Sequence, residues 1–152
     1  MRRFGAAFLV VVALAGCGGG GAKPLTKAQY EQHLQADGAA AQRATKSLAG
    51  GTRPLALAKS LAQVQAELRR VADDLDGLRP PSDAVRDNAR IARGLRGLAA
   101  SFEPLRRKLA AGQKLNLAQE FAKLQEPKSV ADAQLAINDL QRKGYAVGVF
   151  GT

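Results

Sequence analysis

The side chains that most often perform chemistry in proteins are scarce in this sequence, which has one cysteine, Cys17, and one histidine, His33. Asp37 follows His33 by four residues, so the two would share one face of a helix and could bind a metal ion together. A transition-metal site needs three or four protein ligands, and there is no second histidine or cysteine to complete one. We therefore expect no metal site and interpret His33 and Asp37 as a surface pair at the edge of an apolar helix face.

Patterns typical of catalysis and of cofactor binding are missing as well. The sequence has no Cys-x-x-Cys-His motif for haem attachment and no Glu-x-x-His pair of the kind that di-iron bundles use. Its glycine-rich stretch, residues 18–21, does not follow a predicted strand, as a phosphate-binding loop would. No motif connects His33 to a serine nucleophile. We predict a protein that is not an enzyme and has no catalytic residues.

Cys17 closes an apolar N-terminal segment. Arg2 and Arg3 precede an apolar run over residues 4–14, which is shorter than the roughly 17–25 residues that a membrane-spanning helix needs. The run ends in Leu14, Ala15 and Gly16, directly before Cys17. This tetrapeptide and its context resemble the lipobox of bacterial lipoproteins. The alternative is an ordinary secretory leader with a chance cysteine near its end.

The resemblance implies a lipid anchor. A dedicated signal peptidase would recognise Leu14, Ala15 and Gly16 and cut before Cys17, whose thiol carries a diacylglyceryl group and whose new amine is usually acylated. Two acyl chains hold a protein firmly at a membrane. We therefore expect residues 1–16 to be a removed signal peptide, and residues 17–24 to be a lipidated tether that reaches about 15 Å on average. The location implied is the extracytoplasmic face of the cell membrane, or an outer membrane if the source has one.

One row of charge is a candidate contact surface. Six basic residues of the third predicted helix fall within about 120° when they are projected at 100° per residue. They are Arg86, Arg90, Arg93, Arg96, Arg107 and Lys108. The row lies opposite Ile91, Leu95 and Leu98, so we expect it to face solvent, either as a solubilising surface or against anionic headgroups or wall polymers. We expect no nucleic-acid partner, because an exported protein rarely meets one.

Composition and periodicity predict that residues 25–144 form an all-α, antiparallel helical bundle of three long helices and a broken fourth. Ala and Leu dominate, Trp is absent, and the charge after loss of residues 1–16 is about +8 by simple counting. The second helix has the clearest seam, with apolar residues spaced alternately by four and three, as in a left-handed bundle. These residues are Leu57, Leu61, Val64, Leu68, Val71, Leu75 and Leu78.

The helix ends follow from capping residues, prolines and glycines. Thr26 and Gln29 form a capping box that opens the first helix, and Pro54 suits the start of the second. The third is expected to run from Ser82 to Gly112 with a kink at Pro104, and its Gly94 and Gly97 allow a neighbouring helix to approach closely.

The last third of the bundle is expected to break at Pro127. Apolar residues before and after Pro127 would point about 150–180° apart on one continuous helix, so we predict two helices, the second capped by Ser129. Residues 145–152 form an apolar tail, expected to pack over an open end of the bundle. The alternative for the tail is a docking strand for a partner.

These features together predict a membrane-anchored, extracytoplasmic, non-enzymatic interaction module. Its partners would be the membrane, through the lipid on Cys17, and an envelope protein or anionic envelope polymer. No cofactor is expected besides that covalent lipid. The alternative is a carrier that holds a small apolar ligand between its helices. The oligomeric state is left open.

Overall fold

A computed structural model describes residues 23–46, 53–122 and 127–151, and every regular element within these ranges is helical. The elements are α1 (Lys27–Lys46), α2 (Pro54–Gly77), α3 (Val85–Ser101), α4 (Glu103–Ala110), α5 (Leu117–Ala122), α6 (Lys128–Arg142) and a short 3-10 helix (Gly148–Gly151). The predicted all-α bundle is confirmed. The expected signal peptide (1–16), Cys17 and most of the tether lie outside the described residues.

The helices pack in a simple antiparallel order. The N–H of Leu25 donates to the carbonyl of Arg79 at 2.7 Å, which sets the start of α1 beside the end of α2. α3 then returns along α2, and α6 runs antiparallel to α3 on the other side. Consequently α2 and α3 are central, and α1 and α6 flank them. No helix among the described residues is both long enough and apolar enough to cross a membrane.

Six of the seven predicted seam residues, from Leu57 to Leu75, are buried, whereas Leu78 follows the end of α2 and is only partly buried. The seam packs into two apolar clusters at opposite ends of the bundle. We call one end the tail half (residues 23–40, 67–96 and 127–151), since the C-terminal residues pack there around Tyr30, Leu75 and Leu140. We call the other end the distal half (residues 41–46, 53–66 and 97–120). Its core contains Leu61, Phe102 and residues of α4, and the apolar cluster continues across the boundary to Leu68.

The ends of the first two helices agree with the capping residues. The N–H of Thr26 donates to Oε1 of Gln29 at 2.9 Å, and the N–H of Gln29 donates to Oγ1 of Thr26 at 3.3 Å. These two bonds make the predicted capping box. α2 begins at Pro54, where a missing N–H does no harm, and ends at Gly77, ahead of the proline pair 80–81.

The third predicted helix differs from the expectation, because it is two helices and not one kinked helix. α3 begins at Val85 after a turn over residues 82–84, and it ends at Ser101; α4 begins at Glu103. Pro104 thereby lies in the first turn of α4, where its missing N–H breaks no helical hydrogen bond. Gln65 of α2 stabilises this break, since its side-chain amide donates to the carbonyl of Ala99 at 2.8 Å.

The fourth predicted helix is two helices in the described residues, α5 and α6, and α6 begins directly after Pro127, as predicted, but Ser129 does not cap it. Residues 123–126 lie outside the described residues. α6 begins at Lys128 with Pro127 in the capping position, so Ser129 is already inside the first turn. Its side chain instead lies against Gly97 of α3, where a Cβ would overlap the serine hydroxyl. The prediction of a serine cap was wrong because Pro127, whose φ is fixed by its ring, occupies the N-cap position instead.

The C-terminal tail packs back onto the bundle, as predicted. Tyr145 and Val147 are buried in the tail-half core, and the 3-10 helix lies on α1. At Gly38 of α1, an added Cβ would lie 2.9 Å from Cγ2 of Val149 and 3.1 Å from the ring of Phe150. The glycine therefore lets the tail approach α1 at backbone distance.

Candidate functional site

The contact between α3 and α6 depends on small residues. An added Cβ at Gly94 would lie 2.8 Å from the carbonyl oxygen of Ser129 and would overlap the Cβ of Ala133. Gly97 is equally close to Ser129. The close helix approach that the sequence predicted for these glycines is thus confirmed. It brings the charged residues that flank the glycines into direct contact across the interface.

Arg90 is the centre of that charged contact. Its Nη2 lies 2.7 Å from Oδ1 of Asp132, and its Nη1 lies 3.1 Å from Oδ2 of Asp139 and 3.4 Å from Oδ1 of Asp87. The hydrogen bond from Arg90 lowers the pKa of Asp132, and bonds from Arg142 and then Arg90 lower the pKa of Asp139. One guanidinium is therefore shared by three carboxylates and fastens α6 to α3.

A second set of polar contacts joins the end of α6 to the start of α3. Asp87 is 1% exposed and accepts a hydrogen bond of 2.6 Å from Nζ of Lys143, which also donates to the backbone carbonyl of Asp83. The hydroxyl of Tyr145 donates to Oδ1 of Asp83 at 2.7 Å. Burial, reinforced by Asp83, raises the pKa of Tyr145 to about 12. The tail is thereby held by directional bonds as well as by apolar contact.

A third polar contact crosses the tail-half core. The hydroxyl of Tyr30 donates to Oδ1 of Asn88 at 3.0 Å, and the amide of Asn88 donates to the carbonyl of Leu75 at 2.7 Å. Tyr30 also meets Tyr145 edge to face, with ring centroids 5.8 Å apart, and Nζ of Lys27 lies 4.9 Å above the Tyr145 ring. Because these buried polar side chains have partners, we interpret the tail half as a structural junction.

Arg90 corrects the sequence interpretation of the basic row. We expected all six residues to face solvent, but the Arg90 side chain is only 12% exposed. A projection of α3 alone shows which residues share a face and cannot show that α6, with Asp132 and Asp139, covers part of it. The expectation was wrong for Arg90 because a neighbouring helix supplies the carboxylates.

The other members of the row divide into paired and exposed residues. Arg96 contacts Asp73 and Asp76 of α2 at 2.6 and 2.5 Å, Arg107 contacts Glu103 at 2.9 Å, and Lys108 contacts Glu120 at 2.6 Å. Arg93 remains exposed, 4.0 Å from Asp132, and Arg86 is exposed as well. Contact of this row with an anionic surface stays a prediction, and these two arginines are its most accessible members on α3.

His33 and Asp37 do not form the expected surface pair. His33 is exposed, whereas Asp37 is buried on the inner face of α1, and its Oδ2 has no hydrogen-bond partner. Burial, and then the nearby Asp74, raises the pKa of Asp37. Within the described ranges no three side chains of His, Cys, Asp or Glu are grouped so that they could hold a metal ion.

The alternative function as a carrier stays a prediction, and the spaces between the helices differ in size: a groove between α1 and α2 measures about 320 Å³ and has Arg43 and Glu67 in its lining. The apolar cavity between α3, α6 and Phe150 has a volume of about 100 Å³. Pockets that bury a small-molecule ligand usually measure about 300–1,000 Å³. A larger cleft of about 580 Å³ at the ends of α3 and α6 is lined by charged side chains such as Arg86 and Arg142, and it would not suit an apolar ligand.

The distal half carries a surface charge that sequence reasoning missed. Its residues include eight basic and two acidic side chains, whereas the tail half, as described, has twelve basic and ten acidic ones. Five exposed basic side chains form no ion pair with any described residue, and we call them the distal basic surface. They are Arg43, Lys46, Arg53, Lys59 and Lys114. They come from different segments, so no single-helix projection could group them, but a charge count for each end of the predicted bundle would have revealed the imbalance.

No protein-family model, curated protein or solved structure matches this chain.

Proposed function

We propose that this protein is a membrane-anchored, extracytoplasmic lipoprotein whose helical bundle is a non-enzymatic interaction module of the cell envelope. The observation that carries the proposal is the tetrapeptide Leu14-Ala15-Gly16-Cys17 at the end of an apolar segment, in a chain with no other cysteine. The lipid on Cys17 would be its membrane contact. The membrane is the cell membrane or, if the source has one, the outer membrane.

The position of Leu25 supports this arrangement. Its N–H bonds to the carbonyl of Arg79, so the chain enters the bundle at the tail half. An anchor at Cys17 precedes Leu25 by eight residues, and a glycine-rich segment of this length spans about 15 Å on average. A lipidated Cys17 would therefore hold the tail half next to the bilayer and leave the distal half farther away.

The polar contacts of the tail half support an interaction module over an enzyme. Asp87, Asn88 and Tyr30 are buried and occupied by internal hydrogen bonds, so they are not free to transfer protons or bind substrate. A bundle whose buried polar groups are engaged internally still presents its surface to partners. The partners we propose are an envelope protein or an anionic polymer of the envelope.

Metabolic labelling of the bacterial source with a clickable fatty acid tests the anchor. The natural chain should become labelled and fractionate with membranes, and Cys17→Ala should lose the label and keep an uncleaved or miscleaved leader. The control adds Ala22→Cys to Cys17→Ala, which restores a thiol five residues beyond the lipobox. Labelling of that double variant, or unchanged labelling of Cys17→Ala, would contradict the proposal.

A further inference from the structure

The charge of this protein is unevenly distributed along the bundle. In the tail half, acidic side chains balance most of the basic ones, and contacts such as Arg90 with Asp132 and Arg96 with Asp73 neutralise them in pairs. In the distal half, the two acidic side chains are already engaged. Glu103 is shared by Arg106 and Arg107, which lower its pKa well below the usual range, and Glu120 lies 2.6 Å from Lys108. The described residues of this end are left with an excess of six positive charges.

The packing of the helices produces this concentration of charge. α1 ends with Arg43 and Lys46, and α2 begins with Arg53 and Lys59, so the antiparallel pair presents four exposed basic side chains at one end. Lys114 follows α4, and the neighbouring Leu115 packs onto the same apolar cluster as Leu57 at the start of α2. These charges therefore lie on one end of one rigid core. Because these basic side chains are exposed, they can attract an anionic partner through solvent without first losing their bound water.

We propose that the distal basic surface binds an anionic polymer of the cell envelope, one that carries repeated phosphate or carboxylate groups. A polymer fits better than the protein's own membrane, a choice that rests on the proposed lipid anchor. α2 has 24 residues, so its first residue lies about 36 Å from its last, beside which Leu25 enters the bundle, and this distance is well beyond a Debye length of about 8–10 Å. Among the described residues of this end, Leu55 is the only large apolar side chain that is mostly exposed, so the described surface offers few apolar groups for insertion into a bilayer.

Binding of this kind has a characteristic salt dependence. A polyanion carries condensed counterions, and each basic side chain that contacts it releases some of them. The affinity therefore falls linearly with salt on logarithmic axes, with a slope of about −0.7 for each contact on a flexible single strand. Removal of four contacts is expected to flatten the slope by about three units.

The test measures binding of purified full-length protein, in an uncharged detergent, to polyphosphate and to poly-glutamate at several salt concentrations. The distal variant changes Arg43, Lys46, Arg53 and Lys59 to Gln. The control variant removes the same number of charges from exposed residues of the tail half, by changing Lys23, Arg69, Arg79 and Lys128 to Gln. Both variants have the same net charge, so a difference between them reports on position. Since all eight side chains are exposed, thermal unfolding should be similar in the three proteins.

We expect the natural protein to bind at least one polymer at low salt, with the tighter one identifying the preferred anionic group. The distal variant should bind at least tenfold more weakly and have the flatter slope, and the control variant should lose no more than about threefold. Equal weakening of the two variants, or no binding to either polymer at 50 mM salt, would overturn the proposal. So would a larger loss for the distal variant on detergent-free vesicles of 30% phosphatidylglycerol in phosphatidylcholine than on either polymer, which would assign the surface to a membrane. Binding to these vesicles is expressed relative to vesicles of phosphatidylcholine alone, which cancels the contribution of a lipid or leader. No outcome therefore depends on whether Cys17 is lipidated, and failure here leaves the labelling test of the anchor unaffected.

Discussion

The two halves of the bundle are held together in different ways. The distal half is a leucine seam, in which Gln65 is the one buried polar side chain among the described residues. The tail half has an apolar core of its own and adds buried or nearly buried polar groups, among them Asp87, Asn88 and Arg90. The comparison teaches that most acidic residues of the protein lie in one half, and that five exposed basic residues of the other half form no ion pair with any described residue.

The difference follows from what each half has to assemble. The distal half joins segments that are consecutive in the chain, and apolar faces of matching spacing are enough for that. The tail half must also attach α6 and the tail, whose contacts with α3 join residues 42 to 62 positions apart. Directional ion pairs and hydrogen bonds are well suited to specify that placement, because they form only in one relative position of the helices.

The largest effect is expected from a cavity in the distal half, whose core is almost entirely apolar. Leu61→Ala should lower the free energy of unfolding by about 2–5 kcal/mol, because Leu61 is completely buried in the seam. Leu55→Ala is the matched control on the same helix, since Leu55 is 59% exposed and should change stability by no more than about 0.5 kcal/mol. Chemical denaturation measures both. A similar loss of unfolding free energy in the two variants would contradict the placement of the seam in the core.

A somewhat smaller effect is expected when the polar junction of the tail half is weakened. Asp87→Asn should cost roughly 2–3 kcal/mol, since it leaves Lys143 and Arg90 without their buried carboxylate. Asp73→Asn removes an exposed partner of Arg96 and should cost less than about 1 kcal/mol.

Salt distinguishes the two aspartate variants. The loss for Asp87→Asn should persist at 1 M salt, whereas any loss for Asp73→Asn should disappear there, because an exposed pair is screened and a buried one is not. If the stability losses of both variants disappeared at 1 M salt, burial of the Asp87 ion pairs would not explain the difference between the two halves.

A third substitution separates close packing from polar contact in the same interface. Gly94→Ala should lower stability by about 1–3 kcal/mol, since the new methyl group would overlap Ala133 and press on the backbone of Ser129. Gly77→Ala is its control, because no atom lies within 4 Å of a Cβ there, and it should be neutral or stabilising by up to about 1 kcal/mol. Thermal unfolding compares the two; a tolerated Gly94→Ala would mean that α6 can move away from α3 at little cost.

The smallest expected effect concerns Asp37, whose buried Oδ2 has no partner. Its pKa in the folded protein is raised above the ordinary 3.8, chiefly by burial, with Asp74 adding to the shift and His33 and Arg70 opposing it. A raised pKa in the folded state means that stability is greatest when the group is protonated and falls as the pH rises through that pKa. Asp37→Asn should therefore gain stability relative to the natural protein as the pH rises from 4 to 7. A difference that stays constant over this range would show that Asp37 titrates normally.

Much of the fold could be predicted from local patterns. The seam of α2, the capping box of Thr26 and Gln29, and the break at Pro127 all depend on residues within one or two helical turns of one another. Pro104 was predicted to disturb the third helix, but its effect was underestimated. Whether a proline bends a helix or starts a new one depends on partners for the freed carbonyls, and here Gln65 of α2 provides one for Ala99.

The sequence by itself determined the helical class, the positions of most helix ends and the lipobox-like leader, since these depend on composition and short spacings. Tertiary structure decided which charges are free. Arg90 and Lys59 are both basic residues on predicted helices, yet Arg90 is covered by the carboxylates of α6 and Lys59 remains exposed and unpaired by any described residue. The physical reason is that a side chain's exposure and its counter-charges come from whichever helix packs beside it. Which helix packs beside it depends on how the apolar faces of all the helices are buried together. The residues that make these contacts are far apart in the sequence, so patterns within one helix do not predict them.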